Sequence, residues 1–311
     1  MNNNNNLAAP PSGVSTDLLQ VHHVTRYRYA RPVHFGEHRA MFRPHDSNDL
    51  QLAGIYINTR PSASLHWVND VFSNSTARFN FTESSDTLEI DCTFNVVRST
   101  VAQPEFPIAD FAKSYPFLYP NDQFTDLIPL IRPEYDHPEE EVKSWAQQFI
   151  EPSGGDTWAL LKTINKALHE TIEYRRRDEP GVQAPRKTIQ LGHGSCRDYA
   201  VLMLEAVRQL GFAARFVTGY LYDPASDGNN SGLQGAGATH AWVQIYLPGA
   251  GWIEFDPTNG SIASGNLIRT GVARTPSQAV PLEGSFKGAP EDFLGLDVHV
   301  EVKALAPTLK G

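Results

Sequence analysis

The sequence predicts an α+β protein, with an antiparallel β domain first and then a domain in which helices precede antiparallel strands. Three observations predict it. From Leu18 to about Val101 apolar residues recur at every second position, from Glu139 to Gly211 they recur at helical spacing, and beyond Phe212 the alternation returns. At 311 residues, with 41% hydrophobic and 20% charged side chains, the chain has the make-up of a globular protein and is long enough for two domains. The composition shifts place the boundaries: a disordered tail over 1–17, a β domain over 18–105, a second domain over 106–304 and a short tail over 305–311.

The elements follow in order. Residues 1–17, rich in Asn, Pro and Ser, carry too little apolar surface to offset the entropy of ordering. In LQVHHVTRYRYARPV, LAGIYINTR, TARFNFTES and TLEIDCTFNVV, aromatic and β-branched residues alternate between Asn, Asp, Ser and Pro punctuation, as antiparallel strands do. A Pro- and aromatic-rich connector, AQPEFPIADFAKSYPFLYPND, crosses to two amphipathic helices, EEEVKSWAQQFI and DTWALLKTINKALHETIEY, the second opened by Asp156 as N-cap. RRRDEPGVQAPRKTIQLGHG reads as a loop. FAARFVTGYLYD, ATHAWVQIYLPGAGWIEFDPTNG and LGLDVHVEVKAL read as strands of the second domain, with PASDGNNSGLQGAGA as a surface loop.

The loop ends at HGSCRDYAVLMLEAVRQLG. Ser195 followed three residues later by Asp198 forms a capping box, and Gly211 suits the position after the helix. Cys196 therefore stands at the first helical position, where unpaired amides and the positive end of the helix dipole favour an anion, and thiolate is the nucleophilic form of cysteine. Cys92, the other cysteine, sits in an alternating strand and reads as a buried hydrophobe.

A thiol nucleophile needs a proton acceptor, and imidazole suits that exchange best. His240 opens a strand directly after the Gly-rich loop, and Asp256 ends the next strand just before Pro257. If the intervening turn has an odd number of residues, with facing positions summing to 498, then His240 and Asp256 fall on one face as diagonal neighbours. An even turn without a bulge puts them on opposite faces. Asp256 would then orient the ring, completing a set of nucleophile, base and orienter in Cys196, His240 and Asp256. His193, three residues before the thiol, lacks a following acid to orient it, and His22 and His23 point to opposite faces of their strand, which makes them poor joint metal ligands.

GSCRDYAVLMLEAVRQLGFAARFVTGYL and THAWVQIYLPGAGWIEFDPTNG, with VHHVTRYRYARPV and NDVFSNSTARF upstream, resemble the bacterial transglutaminase-like family of the papain-like cysteine-enzyme superfamily and its preceding β domain. The resemblance runs from about residue 18 to 304. It implies a papain-like second domain, with the cysteine-bearing helix packed on an antiparallel sheet, and a catalytic triad falling on Cys196, His240 and Asp256. Trp242 and Trp252 fall where the family has aromatics beside the triad. The superfamily includes transamidating enzymes, peptidases and amidases, so the expected activity is acyl transfer or hydrolysis at an amide through a thioester, with amine or water as acceptor. Gln183 is a candidate oxyanion donor, and the loop Pro224–Ala238 reads equally as a lid and as a surface insertion. A non-catalytic protein-interaction module is the alternative from another class.

No cofactor or metal is expected: the chain has no phosphate-binding glycine loop, no CxxC and no paired ligand spacing. The formal charge of −9 excludes a surface built to neutralise nucleic-acid phosphates, and the run Arg175–Arg177 is followed at once by Asp178 and Glu179. With no apolar run of ~18 residues and no apolar leader, a membrane association is not expected and cytoplasmic residence is. The expected partner is a protein or peptide substrate.

Overall fold

The computed structural model describes residues 14–101, 104–135, 140–177, 179, 181–224 and 232–305. The N-terminal β domain is made of β1 (Val14–Phe35), β2 (His38–Ala40), β3 (Leu50–Arg60), β4 (Ala63–Asn69), β5 (Ser75–Phe81) and β6 (Ser85–Val101). Alternation explains its core. Along β6, Leu88, Ile90, Cys92, Phe94 and Val96 are all buried, every second residue facing the β2–β5–β4 sheet layer or the hydrophobic interior beneath it. Residues 14–17, expected as tail, belong to β1 instead and pair with Ser99–Arg98 and their neighbours on β6. Their polar composition hid the strand because the ladder is held by main-chain hydrogen bonds. The rest of that expected tail, 1–13, lies outside the described residues.

The helical layer comprises α1 (Asn121–Ile131), α2 (Glu141–Gln147), α3 (Thr157–Thr171), α4 (Pro185–Leu191) and α5 (Cys196–Gln209), with the short parallel strands β7 (Glu173–Tyr174) and β8 (His193–Gly194) between α3 and α5. Asp156 caps α3 as the sequence predicts, accepting from the Ala159 amide at 2.6 Å. Helix α4 lies where a loop is expected. Its signals are Pro185 at the first turn and Gly192 at φ +64° after the last, an N-terminal Pro and C-terminal Gly pair. Helix α1 likewise emerges from the end of the connector.

The second sheet has the order β12–β11–β10–β9–β13, from β9 (Ala214–Leu221), β10 (Thr239–Leu247), β11 (Gly251–Asp256), β12 (Ser261–Ile262) and β13 (Leu267–Ala273). Helix α5 packs on β10 and β9 and is covered by α2, α3 and α4, so it is buried almost all round rather than on one face. After β13 the chain returns to the first domain. β14 (Leu282–Glu283) pairs β2, β15 (Phe286–Lys287) pairs the end of β1, and β16 (Phe293–Leu305) runs along β1 from Leu18↔Leu305 to Tyr29↔Phe293. This corrects the expected boundaries: the final strand, assigned to a domain over 106–304 with a tail from 305, completes the N-terminal sheet through Leu305. Alternation shows that a strand has one apolar face and carries nothing about which sheet receives it. No described helix is long and apolar enough to cross a membrane.

Candidate active site

The N-terminus of α5 is fixed by Asp198. Its Oδ2 accepts from the Ser195 amide at 2.8 Å and from Ser195 Oγ at 2.9 Å, while Oδ1 accepts from the Gln183 amide at 2.7 Å and Arg177 Nη1 at 2.9 Å. The carboxylate of the capping box thus ties the turn before Cys196 to the segment around Gln183, and Cys196 opens the helix. Gly194 is required there, because a Cβ would stand 2.8 Å from Asp198 Cβ and 3.1 Å from Gln183 Nε2.

The hairpin register is the one that an odd turn demands. Val243 faces Phe255, Tyr246 faces Trp252 and Leu247 faces Gly251, all summing to 498, around the turn Pro248–Ala250. His240 and Asp256 consequently meet: His240 Nε2 lies 2.9 Å from Asp256 Oδ2. Cys196 is 7% exposed, His240 1% and Asp256 0%. The other ring nitrogen, His240 Nδ1, is buried without a hydrogen-bond partner of good geometry, and the Cys196 sulfur is close enough to raise the ring's proton affinity. Burial disfavours a charged ring, but the adjacent Asp256 carboxylate outweighs it, with Cys196 adding to the effect, so the His240 pKa is held well above its ordinary value. Burial acts against the Asp256 charge too, and His240 and Asn259 reverse that, holding the carboxyl below its ordinary range. The arrangement favours an imidazolium beside the sulfur.

Sequence reasoning overlooked what holds this pair. Asn259 Nδ2 donates to Asp256 Oδ2 at 2.8 Å and to the Gln234 carbonyl at 3.2 Å, its Oδ1 accepts from the Gln234 amide at 2.9 Å, and the Thr258 amide donates to Asp256 Oδ1 at 3.1 Å. The described end of the loop before His240 is thereby pinned to the carboxylate, and Gly235, at φ +93°, lies against the ring so closely that a Cβ would come within 2.7 Å of Nδ1. The rest of the candidate lid, 225–231, lies outside the described residues. The polar residues following Asp256 in DPTNG were the available signal. Trp242 stacks on His240 with centroids 5.9 Å apart, whereas Trp252 instead carries Arg215 over its ring at 4.2 Å.

Of the remaining candidates, Gln183 and His193 lie beside the turn into α5, whereas His22, His23 and Cys92 stand apart from this centre. Gln183 is buried rather than solvated, and its Nε2 donates to the His193 carbonyl at 3.0 Å, beside the turn into α5. His193 pairs with Glu173 across β7 and β8. His22 bonds Asp91 at 3.0 Å, and His23 turns to the other face to meet Tyr220 Oη at 2.7 Å. Burial pushes the Cys92 thiol far up, with Asp91 adding to it, so that cysteine is inert packing. The Tyr174 hydroxyl is pushed up to about 12, first by burial and then by the charge of Cys196 nearby.

A cysteine at a helix start, meeting a histidine and an aspartate from a neighbouring hairpin, defines the papain-like class of folds. Residues 143–257 match the transglutaminase-like superfamily and residues 19–97 match the bacterial transglutaminase-like N-terminal region. The second domain thus belongs to the transglutaminase-like superfamily and is preceded by the bacterial N-terminal region that accompanies it. An uncharacterized protein of Mycobacterium leprae is 37% identical over 113 residues, 36% of this chain and 38% of that one. An uncharacterized protein of Mycobacterium tuberculosis is 25% identical over 97% of both chains. A crystal structure of a Cytophaga hutchinsonii protein, provisionally described as a cysteine protease, superposes with a TM-score of 0.67 at 17% identity, covering 94% of this chain and 92% of that one, and shares the fold.

Proposed function

We propose that the protein is a thiol enzyme that transfers or hydrolyses acyl groups at an amide through a thioester. The observation that carries this reading is the buried His240–Asp256 pair, 2.9 Å apart, with Cys196 at the start of α5 close enough to raise the ring's proton affinity. In this reading Cys196, as thiolate, attacks the amide carbonyl, and its sulfur–carbon bond forms as the carbonyl becomes an oxyanion. The Cys196 amide at the helix start donates to that oxygen, with Gln183 Nε2 as the second donor. His240 protonates the departing nitrogen, the carbon–nitrogen bond breaks and a thioester remains. An amine or water then attacks, His240 takes its proton, and the thiolate leaves. Asp256 keeps the ring in the tautomer that presents Nδ1 to sulfur and stabilises the imidazolium.

The test runs the wild type and Cys196→Ala side by side for incorporation of a fluorescent primary amine into a glutamine-rich protein and for cleavage of a peptide library. Amine incorporation lost in the variant assigns transamidation, and cleavage lost in the variant assigns an amidase or peptidase. Activity retained by Cys196→Ala refutes the mechanism. A wild-type Cys196 no faster than Cys92 toward iodoacetamide favours a non-catalytic module.

A further inference from the structure

A cavity of about 650 Å³ is lined by Arg197, Thr239 and Val182, the chain neighbours of Cys196, His240 and Gln183. Its far wall includes Ser277, Val280 and Glu283, which also line a second cavity of about 630 Å³ reaching the strands β4 and β5 of the first domain. The space beside Arg197 and Thr239, the chain neighbours of Cys196 and His240, therefore belongs to a cleft between the two domains.

Arg197 is the unusual member of that wall. Its guanidinium lies over the Phe216 ring at 5.6 Å, and Nη2 makes two long contacts, to the Ala279 carbonyl at 3.3 Å and Thr218 Oγ1 at 3.5 Å. These contacts orient the group without neutralising it. Among the described residues no carboxylate is within ion-pair reach of Arg197. The two acids of the same cavity are already matched, Glu134 by Arg274 and Glu283 by Arg39. Asp198, its neighbour in sequence, is engaged by Arg177, the Gln183 amide and Ser195. Burial works against the charge of Arg197, with Cys196 and Asp198 only partly opposing it. A half-buried guanidinium with no carboxylate partner among the described residues keeps its charge available to a ligand, and five N–H donors in a planar fork match a carboxylate closely.

We propose that Arg197 receives a carboxylate of the acyl donor, so that the preferred substrates are amides bearing an acidic group within a few bonds of the scissile carbonyl. This rests on the thiol-enzyme reading above and adds the substrate class to it. An anion entering the cavity gains charge-assisted hydrogen bonds from Arg197. Cys196 is near enough to Arg197 to act on its charge, so a carboxylate held there lies within reach of the sulfur.

Two alkylating agents of nearly equal size test it: neutral iodoacetamide and anionic iodoacetate, with labelling of Cys196 and Cys92 followed separately by peptide mass spectrometry. Rapid iodoacetamide labelling of Cys196 tests the thiol-enzyme reading, and failure there removes both proposals. Given that reactivity, the ratio of iodoacetate to iodoacetamide rates at Cys196 should exceed that of a small free thiol such as glutathione. In Arg197→Gln the ratio should fall by about tenfold or more, with the iodoacetamide rate preserved, and Arg197→Lys should retain part of it. A wild-type ratio no higher than glutathione's overturns the proposal. So does equal loss of both rates in Arg197→Gln, which would make the guanidinium a support for the thiolate rather than a receptor for substrate. If Arg197→Gln does not fold, the wild type alone decides. Glutarate should slow iodoacetamide labelling of Cys196 and glutaramide should not, and equal behaviour of the two overturns the assignment.

Discussion

Asp256 is gripped from several sides, by His240, the Asn259 side chain and the Thr258 amide, and this makes its charge available to the ring without leaving the carboxylate free to rotate. Asp256→Asn keeps the shape and removes the charge, so the raised His240 pKa should drop toward its ordinary value. Because the imidazolium is the form that protonates the leaving nitrogen, the alkaline limb of kcat/KM against pH should move to lower pH, and kcat should fall roughly a hundredfold to ten-thousandfold. An unmoved alkaline limb would mean that His240 does not set it. Asn259→Ala leaves the charge and loosens its orientation and the link to Gln234. It should cost less in kcat, about tenfold, with a smaller displacement of the same limb, measured in the same pH series. Cys196, His240 and Asp256 were legible before any coordinates because each sits at an element boundary with its own signal. Arg197 and Asn259 were not, because an arginine on a helix and an asparagine in a turn are ordinary in sequence and acquire roles only from what lies opposite them.

Helix α5 carries the same lesson at the scale of an element. Its spacing predicts one apolar face, yet Glu205 and Arg208 are buried as well, 3.5 Å apart at their closest, with Glu205 accepting from the Glu134 and Tyr135 amides and Arg208 donating to the carbonyls of Leu130, Ala214 and Arg274. These two side chains bind the ends of surrounding segments to the helix that presents Cys196. Glu205→Ala leaves the Arg208 charge buried without its partner, so unfolding in urea should show a loss of about 3–5 kcal/mol. A loss within about 0.5 kcal/mol, as at ordinary surface sites, would mean that the pair is dispensable. The hairpin was more legible: its turn Pro248–Ala250 fixes the side on which Asp256 emerges, since strand periodicity is two and a single slip inverts every side chain.

Across the whole molecule the two domains share their interior. Tyr220 and Ile268 of the second sheet, with Tyr222 just beyond β9, belong to the hydrophobic core built on β1 and β6, and Tyr220 Oη meets His23 Nδ1 at 2.7 Å. Asn74 joins the domains as well, bonding both the amide and the carbonyl of Val272, and Arg269 reaches Asp49 at 2.9 Å. Burial, with His22 and His299 adding to it, lowers the His23 pKa from 6.5 to about 4. The folded state therefore refuses a proton that the unfolded chain accepts below about pH 6.5. Stability is fully present above that pH and declines as pH falls toward 4, by about 3 kcal/mol over the interval. Urea midpoints measured from pH 7 to 4.5 should follow this decline, and His23→Phe should flatten it. A wild-type profile that is already flat would show that His23 is not the acid-sensitive joint.

The succession of an alternating region, a helical region and a second alternating region, the helix-start cysteine, and the condition under which His240 and Asp256 could meet were determined by the sequence, because periodicity, capping and turn parity are local properties. Only the tertiary structure decided that β16 joins the first sheet, that α5 is buried almost all round, and that Arg197 faces a cleft with no carboxylate partner among the described residues. Those facts depend on which surfaces come together between elements distant in the chain, and no local pattern encodes the partner of a face.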